Sequence, residues 1–96
     1  MATSKISKSA NGYLYNVITS GSLYDFATSA SEGLTCFRYN NSVTDTPSEY
    51  GHGILVKYGQ NLRFMIFDMV QIKVYTAFKK TQSWSAWKEF SIGGGT

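Results

Sequence analysis

The chain has 96 residues, 43% of them hydrophobic and 16% aromatic, with nine basic and six acidic side chains for a formal charge of +3. This length sets a limit of one domain, the longest apolar runs fall far short of the roughly 20 residues that cross a bilayer, and the lone Cys36 excludes an internal disulfide. One cysteine and one histidine, His52, do not complete a zinc site, so no metal or cofactor is expected, and the mild charge excess favours an anionic partner only weakly.

Residues 1–10 are rich in Ser and Lys and hold no continuous apolar segment of the kind a signal peptide needs, so synthesis in the cytoplasm is expected. Residues 1–21 read as an extended arm or the end of a stalk, with an alternating piece, Tyr13-Leu14-Tyr15-Asn16-Val17-Ile18, inside it. Leu23, Phe26 and Ala27 then fall at i, i+3 and i+4 behind Ser22, which predicts one short helix capped by Ser22 and finished before Gly33. From Leu34 the period becomes two, the mark of a strand. Residues 40–52 contain Asn, Ser, Thr, Asp and the single Pro47 without a hydrophobic period and predict an exposed loop.

Residues 54–58 and 62–67 predict a hairpin across Gly59-Gln60-Asn61. A strand over 70–78 sets Val70, Ile72, Val74, Thr76 and Phe78 on one face and Gln71, Lys73, Tyr75 and Ala77 on the other, the second set predicted to meet water. Residues 79–83 are a polar turn, 84–90 the last strand, and the glycine-rich 92–96 a frayed tail. The fold class is mainly β with one short N-terminal helix, a small antiparallel meander sheet of the α+β type over residues 22–91. Phe64-Met65-Ile66-Phe67 runs without alternation, which predicts a strand covered on both faces and is the feature that most supports an oligomer.

The final third, Ile72-Lys73-Val74-Tyr75-Thr76, a polar turn, and Trp84-Ser85-Ala86-Trp87-Lys88-Glu89-Phe90, resembles the closing hairpin of the pyocin knob domain found at the tips of phage tail fibres. The likeness extends over residues 22–90: a short helix, a strand after Gly33, an irregular loop, and Gly53-Ile54-Leu55-Val56 leading into a hairpin. The helix segment lacks the usual Asp-Leu-Asn opening, and no Pro-Gly turn precedes Gly33. The resemblance implies a homotrimeric fibre or baseplate appendage of a virion or phage-like particle, in company with other tail-fibre or baseplate proteins. It further implies recognition of a bacterial cell-surface glycan or polymer, without membrane insertion and without a common enzymatic reaction. The alternative from a different class is a structural trimerisation or capping module with no ligand.

Trp84 and Trp87, three apart on a strand, are predicted to point to opposite faces, one as a platform for a sugar ring or both as packing. Lys73 and Tyr75 share an outward row with Gln71 that suits an acidic saccharide, or is an ordinary solvated face. Tyr50 and His52, at the end of the loop, complete the candidate ligand set. Arg38, Lys57, Arg63, Lys73, Lys79, Lys80 and Lys88, interleaved with Tyr39, Tyr58 and Phe64, resemble a single-strand nucleic-acid surface, but Glu32, Asp45, Glu49, Asp68 and Glu89 break that field and nucleic acid is disfavoured. His52, flanked by Gly51 and Gly53, has no triad setting, and the acids Glu49 and Asp68 fit a carboxylate pair only by chance, so no catalytic residue is assigned.

Overall fold

The computed structural model describes residues 16–90 together with the backbone pairing of two short N-terminal strands, β1 (Lys8–Ser9) and β2 (Gly12–Tyr13). Expectations for the rest of residues 1–15 and for the 92–96 tail lie outside the described residues. The protein is mainly β, with 53% of its residues in strands and one short helix. β3 (Asn16–Ile18) is followed by α1 (Leu23–Ser29), β4 (Gly33–Tyr39), β5 (Gly51–Tyr58), β6 (Asn61–Asp68), β7 (Val74–Lys80), β8 (Ser83–Trp84) and β9 (Lys88–Phe90). From β4 onward consecutive strands pair antiparallel, with β8 and β9 both on the outer side of β7. β3 adds a parallel edge to β4, and α1 is the crossover that a parallel pair requires.

Local chemistry explains each end of α1. Ser22 is the N-cap: its Oγ accepts from the Tyr24 and Asp25 N–H groups at 3.1 and 3.4 Å and donates to Asp45 Oδ2 at 2.6 Å. At the other end Lys57 Nζ donates to the carbonyls of Ala27, Thr28 and Ala30, placing a cation where the helix dipole is negative. Lys57 therefore ties the helix to the middle of the sheet.

Register sorts the strand residues into two faces. Phe37 and Tyr39 on β4, Leu55 on β5 and Leu62, Phe64 and Ile66 on β6 point to the helix side and form the core with Leu23 and Ala27. Val43, only 5% exposed, joins them, because Thr44 N–H bonds Gly21 O and Leu23 N–H bonds Thr44 O, folding the 40–50 segment over the core. The expected exposed loop is thus partly a core element. It is also shorter than expected, since β5 starts at Gly51 and takes His52 into the sheet.

The strand expected over 70–78 begins only at Val74. Asp68 Oδ1 accepts from Val70 N–H at 2.8 Å and Gln71 N–H at 3.2 Å, and Asp68 N–H bonds Lys73 O, so residues 69–73 make a side-chain-locked turn in place of extended chain. The face assignment reverses with it: Tyr75 and Ala77 pair with Ile66 and Phe64 on the helix side, and Val74, Thr76 and Phe78 lie on the other.

Gly53 sits between Phe37 and Ile66 in the register, where a Cβ would run into the backbone oxygen of Met65 and stand 3.0 Å from Ile66 Cα. The obstruction is backbone, which has no rotamer to yield. Gly53→Ala is expected to cost about 3 kcal/mol, read as a lowered urea midpoint at unchanged slope, and an unchanged midpoint would refute this packing.

Candidate functional site

The six side chains expected at a ligand site divide into three groups. Trp84 and Trp87 do not point to opposite faces, because residues 85–87 leave the strand between β8 and β9 and the intervening chain turns both indoles to the helix side. The Trp84 and Trp87 rings lie 5.2 and 5.6 Å from Phe64, and Tyr24 of α1 stacks on Trp84 at 4.5 Å with an interplanar angle of 9°. Trp87 Nε1 donates to Asp45 O at 3.3 Å, which satisfies the one polar atom of the indole. Burial is the first cause, and Asp45 the second, of a Tyr24 phenol pKa held above its ordinary value.

Lys73 and Tyr75 form the second group, on the acidic side of the sheet. Lys73 Nζ stands 3.8 Å from Glu89 Oε1, and Tyr75 OH donates to Asp68 Oδ2 at 3.3 Å. Gln71 is in the turn, so the expected row of Gln71, Lys73 and Tyr75 does not form. Burial raises the Asp68 carboxyl pKa, but the Val70 and Gln71 N–H groups, Tyr75 OH and the Lys73 charge outweigh it and hold the carboxyl below its ordinary value. Because the folded pKa is lowered, Asp68 adds stability above the ordinary value of 3.8, and that contribution is lost as pH falls through the folded value.

Tyr50 and His52 are the third group, at the start of β5. His52 is half-buried, with its ring 6.0 Å from that of Phe67. Tyr50 O accepts from Met69 N–H at 3.0 Å and from Ser48 Oγ at 3.1 Å, which fixes the backbone beneath an exposed ring. Ser48 Oγ also bonds Tyr39 OH at 2.8 Å, and burial pushes the Tyr39 phenol up to about 12, so it stays protonated. Tyr39 reaches Ser48 because Gly51 lacks a Cβ, which would stand 2.5 Å from the Tyr39 hydroxyl.

His52 also belongs to the sheet face opposite α1. Following the register across the sheet, Val17, Arg38, His52, Phe67, Val74 and Phe90 form one row. The next is Cys36, Ile54, Met65, Thr76 and Lys88; then come Leu34, Val56, Arg63 and Phe78; and last Tyr58, Asn61, Lys80 and Ser83. Arg38, Arg63, Lys80 and Lys88 are the ionic residues on it, and none of the acids falls in these rows. Asp68 and Glu89 pair with Gly51 and Tyr75 on the helix side, and Asp25, Glu32, Asp45 and Glu49 lie outside the strands.

The face is also half apolar. Leu34, Val56, Tyr58, Phe67, Phe78 and Phe90 are exposed, and the Arg63 guanidinium lies 5.1 Å over the Phe78 ring. Cys36 stays half-buried on it as a free thiol. A cleft of about 210 Å³ opens between Arg63 and Lys88, floored by Thr76, Phe78 and Ala86. A second, of about 290 Å³, lies at the rim beside Tyr50 and Arg38. Both faces of the strand holding Phe64 and Phe67 were expected to be covered, yet among the described residues only one is fully covered: Phe64 is buried and Phe67 is 41% exposed.

Of the six candidate ligand residues only His52 lies on this face, and its basic residues were weighed only as a disfavoured nucleic-acid surface, because the sign of the charges sorts only once the register is known. The available signal was the alternation itself, Arg63 and Arg38 falling out of phase with Phe64 and Phe37. Comparison with protein-family models, with curated proteins and with solved structures finds no match. The likeness to the knob family rests on the residues quoted above alone.

Two outcomes follow. Trp84→Ala and Trp87→Ala each lower stability by about 3 kcal/mol in urea unfolding, at the low end for a Trp truncation because both rings keep some solvent contact. The stability difference between the native chain and Asp68→Asn is largest near neutral pH and shrinks as pH falls below 3.8, whereas a pH-independent difference would refute the role given to the Asp68 charge.

Proposed function

We propose that this chain is a non-catalytic binding module of the fibre-tip kind, carried on a phage or phage-like particle tail, and that it attaches to an anionic polymer of a bacterial surface through the sheet face opposite α1. The observation that carries this reading is the segregation of charge. Four cations and several exposed aromatic or aliphatic side chains share one face, and the acids lie elsewhere.

A flat face of this composition suits a chain of sugars or polyols bearing carboxylates or phosphates. Guanidinium and ammonium groups meet the anions, while rings such as Tyr58 and Phe78 meet the apolar faces of the carbohydrate. Favourable potential on one face also speeds and orients encounter with a polyanion. The indoles Trp84 and Trp87, first choices from the sequence, serve this reading as packing that holds β8 and β9 in place.

A second reading, a structural module that packs against other copies in a fibre, draws on a different feature. Val70 and Ile72, 73% and 98% exposed, project from the Asp68-locked turn at the end of the sheet whose row includes the exposed Val17, Phe67 and Phe90. A homotrimer through that end would leave part of the cationic face open to a ligand, and light scattering together with Ile72→Ser reports on it without reference to any ligand.

The test of the first reading is attachment of the labelled chain to immobilised polyglycerol phosphate, hyaluronan and neutral dextran. Retention on the two polyanions and not on dextran is expected, falling steeply with added salt. Arg63→Glu together with Lys88→Glu is expected to weaken retention by tenfold or more at unchanged thermal stability. Equal retention on dextran, or full retention by the double variant, would falsify the proposal.

A further inference from the structure

The rim cleft beside Tyr50 combines features that the open face as a whole does not. Its volume of about 290 Å³ accommodates one monosaccharide-sized group, and its lining includes Val17 and Thr19 from β3 and the segment after it, Arg38 and Asn40 at the end of β4, Tyr50 before β5, and Met69 after β6. Four separate stretches of chain converge there because the parallel edge strand β3 ends beside β4 and because Met69 N–H is bonded to Tyr50 O.

Three polar side chains in the cleft, Arg38, Asn40 and Tyr50, have a defined state. Arg38 is exposed and makes no salt bridge among the described residues. Asn40 spends its Oδ1 on Ser42 N–H at 2.9 Å and its carbonyl on Val43 N–H at 3.1 Å, which pins the side chain and leaves its Nδ2 without a described acceptor. Tyr50 is held through its backbone by two hydrogen bonds, and the ring remains exposed. Val17 and Met69 supply apolar wall.

We propose that this cleft is a subsite for a single anionic carbohydrate or polyol unit, a deepening that rests on the function proposed above. The carboxylate or phosphate of the unit pairs with the Arg38 guanidinium, whose planar fork matches either anion with two parallel hydrogen bonds. The ring or carbon chain lies against Tyr50 and Met69, and Asn40 Nδ2 donates to a hydroxyl. Arg63 on β6 lies two rows and two strands from Arg38, and Lys88 on β9 one row and four strands, so a polymer seated in the cleft by one unit reaches the other cations by running diagonally over the face.

The probes are glucuronic acid and glycerol 3-phosphate, with glucose and glycerol as neutral counterparts, each titrated into the ¹⁵N-labelled full chain and followed by amide chemical shifts. Saturable shifts at Arg38, Asn40, Tyr50 and Met69 are expected with at least one anionic probe, and at least tenfold weaker response to its neutral counterpart. Response to glucuronic acid alone identifies a carboxylate ligand, and to glycerol 3-phosphate alone a phosphate ligand. Arg38→Gln is expected to weaken the anionic probe tenfold or more while the spectrum stays dispersed, and Tyr50→Leu, which keeps the bulk and removes the ring, serves if Arg38→Gln fails to fold. Equal response to neutral and anionic probes, shifts confined to other residues, or no response at all overturns the subsite. Polymer attachment without monomer shifts at Arg38 rejects the subsite and keeps the function; monomer binding without polymer attachment does the reverse.

Discussion

A single helix of seven residues has to cover a sheet that is many strands wide, and most of the structure follows from that shortage. Such a helix is roughly 10 Å long and about as thick, whereas four strands from β4 to β7 alone span some 15 Å between their axes. Leu23 and Ala27 cover the middle. The remainder of that face is closed by Val43 from the folded-over 40–50 segment and by the stack of Tyr24, Trp84, Trp87 and Phe64. Among the described residues the large covering groups are therefore committed to one side, and on the other only Val74 is buried.

The uncovered side carries the consequence. An exposed sheet face can be kept soluble by mixed charges, but here its ionic residues are of one sign and its apolar residues are unusually large. Four of the six acids have structural duties instead. Asp45 receives the Ser22 hydroxyl, Glu32 Oε2 accepts Gly59 N–H at 2.7 Å in the β5–β6 turn, Asp68 locks the 69–73 turn, and Glu89 pairs with Lys73. Lys57 is likewise withdrawn from the surface to serve the helix carbonyls. What remains for a partner is cationic and aromatic, on a frame whose central glycine, Gly53, lets the β6 backbone at Met65 and Ile66 lie close against β5.

The sequence showed the element types well because each rests on short-range chemistry: Ser22 and the 3.6 period for α1, the period of two for β4, Gly59 for the β5–β6 hairpin. It placed β7 four residues early because Val70 and Ile72 continue the alternation perfectly, and only the Asp68 side chain, acting over two and three residues, converts them into a turn. That one hydrogen-bonded carboxylate reversed the assignment of Tyr75 and Lys73. The Trp pair was misdirected for a similar reason, since three residues off the strand return the second indole to the face of the first. The candidate face itself is a property of cross-strand register, with rows drawn from β3 to β9, and register over such separations is not written in local spacing.

On the proposed function the cationic face, and not the tryptophan side, meets the ligand. Lysine acetylation footprinting of the chain held on polyglycerol phosphate, read by mass spectrometry, addresses it directly because lysines lie on both sides. Protection of Lys80 and Lys88 on the open face is expected, with Lys73 modified as in the free chain. Protection of Lys73 while Lys80 and Lys88 react freely would contradict it and return the ligand to the side of the sheet where Trp84 and Trp87 lie.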